Sequence, residues 1–364
     1  MFEIIFLILV SGYFIISVAL VIGAKKSFPK LTGDHLPRVS IIVAARDEEE
    51  NILSCLESLN NLIYPENKIE IIIVDDDSTD NTNKIVSDFV QDNHKFKLIS
   101  LKEIEGQKLK GKTRAMAEGI NISTGEIILT TDADCSVNPL WAKTIASYYQ
   151  KDVGLVNGFT SQSVSGSFSG MQAIDVIYLL FISSGTINLN KPVSCIGNNM
   201  SFRKKAYEDT GGYKNLPVSV TEDLLLLHAI HNLKKYKLIY PLNPDSLVLT
   251  KPAPNLKALI DQKKRWAVGG KDAPPFGILL MLWAFITNLF VLLTPLFFSE
   301  VWLYLIFFKI SIDFFILLPV HRRLGLQKNL KYFLVFEIYY LLYTLILPIT
   351  VLFYKKIKWK DRVY

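Results

Sequence analysis

Ile69-Glu-Ile-Ile-Ile-Val-Asp-Asp-Asp-Ser-Thr-Asp80 is an apolar run that stops abruptly in acids. A continuous β-branched stretch of this length is a strand buried on both faces, and the acids belong to the turn at its carboxyl end. Outward from it the chain alternates. A run from Val39 to Ala44 and a helical spacing from Glu48 to Asn60 come before it. Helical spacing from Asp80 to Gln91, a run from Phe96 to Leu101, a helix from Lys112 to Ile122 and a run from Glu126 to Thr131 follow. Strict alternation predicts an α/β fold, a mainly parallel sheet with helices on both faces. In such sheets ligands sit beyond the carboxyl ends of the strands. Acids gather there: the second strand ends in Asp75-Asp76-Asp77 and the fourth in Thr130-Thr-Asp-Ala-Asp134.

The two ends of the 364-residue chain differ from this middle. Half of all residues are hydrophobic (50%), and they concentrate at the termini, whereas the middle has the charge density of a soluble domain. Phe2 to Ile22 carries only Glu3 and is long enough to cross a hydrocarbon core of about 30 Å as a helix. Lys25, Lys26 and Lys30 follow it, which argues for a retained anchor with the middle domain on the cytoplasmic side. Further apolar runs span Phe276–Phe298, Val301–Val320 and Tyr332–Tyr354, with Pro295, Pro319 and Pro348 predicting kinks or breaks near their ends. Residues 321–331 form a basic, cytoplasmic loop. Lys355, Lys356, Lys358, Lys360 and Arg362 would emerge outside if the last run crossed once, so that run is expected to be a hairpin or to lie in the interface. Phe168–Ile182 is apolar too, but a crossing there would separate the acidic strand ends from the motifs that follow, so it is expected to be a buried or interfacial helix.

The expected organisation is an N-terminal transmembrane helix (1–24), a cytoplasmic catalytic domain (25–275) and a C-terminal membrane region with a basic tail (276–364). The expected location is a membrane, specifically the plasma membrane of a bacterium. The net charge of +6 lies largely beside the apolar runs and suits anionic headgroups, and no nucleic-acid motif accompanies it. Cys55, Cys135 and Cys195 are widely spaced and read as reduced thiols without a metal.

Asp132-Ala-Asp134 is a DxD pair at a strand end, which is either an acidic turn or a ligand set for a hard divalent ion such as Mg2+ or Mn2+. Asp134 is the first candidate metal ligand, with Asp132 assisting or reaching a ribose. Asp75, Asp76 and Asp77 crowd like charges that need a cation or donors; Asp77 and Ser78 suit the turn and helix cap, Asp76 suits the ring N–H of a uracil, and Asp75 can support that pocket. Residues 106–113 match the P-loop pattern GxxxxGK[ST], yet long charged side chains crowd the loop; Lys112, at a helix start, suits a diphosphate in either case. Thr221-Glu-Asp223 is either ordinary capping or the site of a general base, Asp223. Gln262, Arg265 and Trp266 share one helix face just before the membrane; the cluster suits a headgroup anchor, or a diphosphate (Arg265) and a sugar face (Trp266).

In their order, these signals resemble the family 2 inverting glycosyltransferases of GT-A fold, which include the cellulose, chitin and hyaluronan synthases and ceramide glucosyltransferase. The likeness runs from about Arg38 to Gly270 and extends to residues 46–49, 111–119 and 197–204. It implies donor contacts by Asp75, Asp76, Lys112, Asp132 and Arg265, metal binding by Asp134 and Asp132, and base catalysis by Asp223. Acceptor contacts fall to Glu222, Gln262 and Trp266. One departure stands out: the family often has glycine where this chain has Asp77. Residues 357–364 are similar to the tail of ceramide glucosyltransferase relatives, and the small number of spans favours transfer to a membrane lipid over polymer synthesis, which stays open as the alternative. A P-loop ATPase built on 106–113 and an inactive membrane scaffold are the rivals from other classes. The sugar, the acceptor and the oligomeric state are left open.

Overall fold

The computed structural model describes residues 2–32, 35–103, 106–217, 219, 221–269, 273–353, 358–359 and 362–363. In chain order the first elements are α1 (Phe2–Ala24), β1 (Val39–Ala45), α2 (Ile52–Asn60), β2 (Ile69–Asp76), α3 (Thr82–Gln91), β3 (Phe96–Leu101), α4 (Gly111–Ile122) and β4 (Ile127–Asp132). There follow β5 (Ser136–Val137), α5 (Trp141–Ser147), β6 (Val153–Asn157), β7 (Thr160–Gln162), α6 (Ser167–Asn188), β8 (Met200–Arg203), α7 (Lys204–Asp209), α8 (Glu222–Asn232), β9 (Lys237–Ile239) and β10 (Val248–Thr250). The chain continues through α9 (Leu256–Gly269), α10 (Pro275–Leu292), α11 (Glu300–Arg323) and α12 (Phe333–Phe353), and ends in β11 (Lys358–Trp359) and β12 (Arg362–Val363).

These elements form two compact units, one of Ser27–Ser161 and Cys195–Lys251, the other of Met1–Lys26, Gln162–Ser194 and Pro252–Tyr364. A linear division at 25 and 275 thus assigns residues 162–194 and 252–275 to the middle, whereas in the fold they cluster with the apolar helices.

The α/β unit is built on a seven-stranded sheet in the order β3-β2-β1-β4-β8-β6-β9. β1 pairs parallel with β2 and β4, and β2 with β3. Because side chains alternate along a strand, Ile41, Val43, Ile71, Ile73 and Leu129 face one core with Leu56, Leu59 and Trp141. Ile42 and Val74 face α4, which comes so close that a Cβ on Gly119 would lie 2.7 Å from the Ile42 methyl. Helices therefore cover both faces, as the alternation predicts. The sheet is not wholly parallel: β8 runs antiparallel to both β4 and β6. Register brings the strand ends level, with Ala45 opposite Asp75 and Ala44 opposite Asp132, so the acids of β2 and β4 emerge along one edge.

Among the described residues, the helical unit holds five helices long and apolar enough to cross a membrane: Phe2–Ala24, Ser167–Asn188, Pro275–Leu292, Glu300–Arg323 and Gln327–Thr350. That is one more than the four apolar runs at the chain ends, the extra one being α6, whose most apolar stretch is 89% buried while those of the other four are 17–39% buried. α6 is thus a buried helix, packed on α1 through Gly23 and Gly185, where an added Cβ would meet the facing backbone at 2.3 and 2.8 Å. The helices share a polar knot: Lys309 is 2.7 Å from Asp313 and 2.9 Å from Glu337, Tyr13 donates to Asp313, and Tyr178 joins Tyr13 to Tyr340.

Two membrane expectations are corrected in part, the breaks at Pro319 and Pro348 and the hairpin in the last run. α10 ends before Pro295, but α11 and α12 run on through Pro319 and Pro348. Each proline lies within a turn or two of its helix end and removes a single backbone bond, which neighbouring helices tolerate. The last apolar run is one continuous helix rather than a hairpin. Lys355, Lys356 and half of the 357–364 tail, Lys360 included, lie outside the described residues.

Candidate active site

The turn after β2 is stitched to the turn after β1. Asp47 Oδ1 accepts from the Thr79 backbone and hydroxyl, Glu49 Oε2 from Asn81, and Asp80 from the Glu49 and Thr82 amides. Asp75 is spent on this scaffold, accepting from the Ser78 amide and the Asn83 side chain. Asp76 faces Arg114, whose Nη2 is 3.1 Å from its carboxylate, while Arg46 donates to the Asp76 carbonyl at 2.7 Å. Neither arginine was singled out by sequence, although both lie in segments that carried the family likeness and three clustered aspartates called for a cation. Asp77 adopts φ 62, the left-handed backbone that glycine takes freely, and pairs with Lys102 at 3.3 Å. That explains how this position departs from glycine: the turn keeps its shape, and aspartate tolerates it.

A second cluster occupies the ends of β4 and α4 and the first turn of α8. Lys112 Nζ is 2.5 Å from Asp132 and 3.7 Å from Glu222. It lines a small opening with Asp132, Thr130, Gly197, Tyr213, Glu222 and Asp223. Burial disfavours the Lys112 charge, but Asp132, Glu222 and Asp223 outweigh it and hold the ammonium above the usual lysine range. Burial pushes Glu222 up to about 7 against the pull of Lys112, with Asp223 adding to the rise. Asp223 is raised for the same reason, burial opposed by Lys112. Its Oδ1 accepts from the Leu224 amide at 2.9 Å, and Gly197 leaves room for it, since a Cβ there would lie 3.1 Å from Oδ2. Thr221 stands at the N-cap of α8 without a side-chain capping bond, and the acids Glu222 and Asp223 occupy the first turn.

Asp134 sits two residues beyond Asp132, its carboxyl raised by burial and by the charges of Asp132 and Glu48. Among the described residues no group of three or more His, Cys, Asp or Glu forms a metal cage. Asp132 is paired with Lys112, and Asp134 accepts from Thr250 and Cys135; two such carboxylates suit a Mg2+-like ion, which takes one or two of them and fills its shell with phosphate and water.

Around 106–113, α4 starts at Gly111 after an extended Lys110, and Lys112 is engaged by carboxylates. Gln262, Arg265 and Trp266 lie on α9 in the helical unit. The Trp266 ring lies 4.6 Å from the Lys263 ammonium.

This architecture is of the GT-A class. The mannosyltransferase PcManGT from Pyrobaculum calidifontis, solved in complex with GDP-Man and Mn2+, shares the fold at a TM-score of 0.57 over 93% of this chain and 99% of that one, at 20% identity. The family model Glycosyl transferase family 2 matches residues 40–211, and Glycosyl transferase family group 2 matches residues 127–354. The chain belongs to the family 2 glycosyltransferases. It is 28% identical to a probable glycosyltransferase, YdaM, of Bacillus subtilis over 65% of this chain and 56% of that one. It is also 28% identical to a beta-monoglucosyldiacylglycerol synthase of Nostoc (70% and 53%) and to a poly-beta-1,6-N-acetyl-D-glucosamine synthase of Staphylococcus epidermidis (75% and 64%). The chain thus spans little more than half to just under two thirds of the length of these relatives.

Proposed function

We propose that the protein is an inverting glycosyltransferase that moves a hexosyl or N-acetylhexosaminyl group from a nucleotide sugar, a UDP-sugar by preference, to a hydroxyl of a membrane lipid at the cytoplasmic face. The observation that carries this is the grouping of Lys112, Asp132, Glu222 and Asp223 around one opening at the strand ends. Asp223, whose Oδ1 accepts from the Leu224 amide, takes the proton of the acceptor hydroxyl as the acceptor's oxygen attacks the anomeric carbon. The diphosphate leaves from the opposite face, and Lys112 neutralises the charge that develops on it, releasing Asp132 as it does so. Asp76 and Arg114 offer an acceptor and a donor side by side for a nucleobase edge. Asp134 and Asp132 would hold a divalent cation, which supplies Lewis-acid charge to the diphosphate when bound. Gln262, Arg265 and Trp266 are assigned acceptor and leaving-group contacts.

The glucosyldiacylglycerol synthase among the relatives supports the lipid acceptor, and the N-acetylglucosamine polymer synthase supports the second reading, polysaccharide synthesis. The test incubates purified protein with labelled UDP-sugars and a lipid extract. One organic-extractable product of fixed mass, lost in excess chelator, is expected. A ladder of water-soluble chains would instead establish the polymer reading.

A further inference from the structure

α9 carries the Gln262–Trp266 motif, and the residue between its functional positions points inward. Lys263 is 5% exposed and Asp175, on α6, is 1% exposed; the two form an ion pair closed to solvent. The Lys263 ammonium also stands 4.6 Å from the Trp266 ring and 4.9 Å from the Tyr343 ring on α12. One turn earlier on α6, Gln172 grips the chain just before α9 at both polar atoms: its Nε2 donates to the Ala253 carbonyl at 3.2 Å and its Oε1 accepts from the Ala253 amide at 2.9 Å. α6 therefore fixes where α9 starts and how it is turned.

A lone buried ion pair is seldom a net source of stability, because desolvation offsets the attraction, whereas its directionality specifies geometry. On a helix of 3.6 residues per turn, anchoring Lys263 against α6 sends Arg265 about 160° away, to the far side of α9. Gln262 is turned by about 100° from the anchored face. We propose that Asp175 is a positioning residue for the transfer reaction: with Gln172 it sets the rotation and axial position of α9, and so the presentation of Gln262 and Arg265. This rests on the reading of those two residues under Proposed function.

The experiment compares full-length Asp175→Asn, Lys263→Arg, the apolar double variant Asp175→Leu/Lys263→Met and, as a control, Arg265→Ala, recording kcat, nucleotide-sugar binding and melting temperature. Asp175→Asn is expected to lower kcat roughly 10- to 100-fold with donor affinity within about twofold, the cost of a misplaced contact. Lys263→Arg should recover most of kcat. The apolar double variant should melt near wild type yet remain slow, which separates positioning from stability. Wild-type turnover by either Asp175→Asn or the apolar double variant overturns the inference, as does a loss of kcat that only tracks melting temperature. If Arg265→Ala turns over normally, the reading of Arg265 fails; a slow Asp175→Asn beside it would show that the pair acts elsewhere and would also overturn the positioning claim.

Discussion

The two units each contain a lysine between two carboxylates, and they use it in opposite ways. In the helical unit Lys309, Asp313 and Glu337 have side chains only 3%, 0% and 9% exposed, and tyrosines complete the knot. In the α/β unit Lys112, Asp132 and Glu222 remain 24%, 34% and 13% exposed beside an opening. The same charges closed off from water make a lock; left partly open at the carboxyl ends of strands they form the proposed entry for the donor.

The largest effect that separates the two belongs to Asp223. Asp223→Asn is expected to reduce transfer by about 10³-fold, within the range lost when a general base is removed, while isothermal titration finds nucleotide-sugar binding within a few-fold of wild type. Lys112→Met against Lys309→Met comes next. The first should cost transfer on the order of 10²-fold and weaken donor binding, with little change in stability. The second should leave donor binding intact and destabilise the helical unit by about 3–5 kcal/mol, the penalty for unpairing buried carboxylates, seen as a lowered melting temperature. Equal effects on binding would erase the distinction between lock and site.

A smaller effect is read from pH. The Glu222 carboxyl is held at about 7 in the fold against 4.5 without it. The folded state therefore binds more protons between those values, and stability falls as pH rises through that window. The ligand-free protein should melt higher at pH 5 than at pH 8, and Glu222→Gln should flatten that dependence; an unchanged slope would remove Glu222 from the cluster. The smallest effect is at Asp77. Asp77→Gly relieves a left-handed backbone and loses a surface ion pair, so stability should shift by less than about 1 kcal/mol with transfer unchanged.

The first half of the α/β unit was legible because buried parallel strands write themselves as continuous apolar runs; β3 spans the predicted residues, and β1, β2 and β4 differ only by a residue or two at their ends. α2 begins at Ile52 rather than Glu48 because the Glu48 and Glu49 amides bond Thr82 and Asp80 across the chain, a tertiary claim invisible to local spacing. β8 is a four-residue strand, Met-Ser-Phe-Arg, too short and mixed to announce its antiparallel direction. At the site, the acids and Lys112 stood out in the sequence, whereas the arginines beside Asp76 did not. Arg114 and Arg46 there, and the Asp175–Lys263 pair within the helical unit, depend on which faces of distant elements meet, and no spacing along the chain encodes that.

The account centres on a one-step displacement with Asp223 as base, and the anomeric configuration of the product tests it most directly. With an α-linked nucleotide sugar and purified protein, proton NMR of the isolated glycoside should show the β-anomer alone, formed by attack opposite the diphosphate. An α-linked product would contradict the account, because retention requires a different course of bond making and leaves Asp223 without its assigned role.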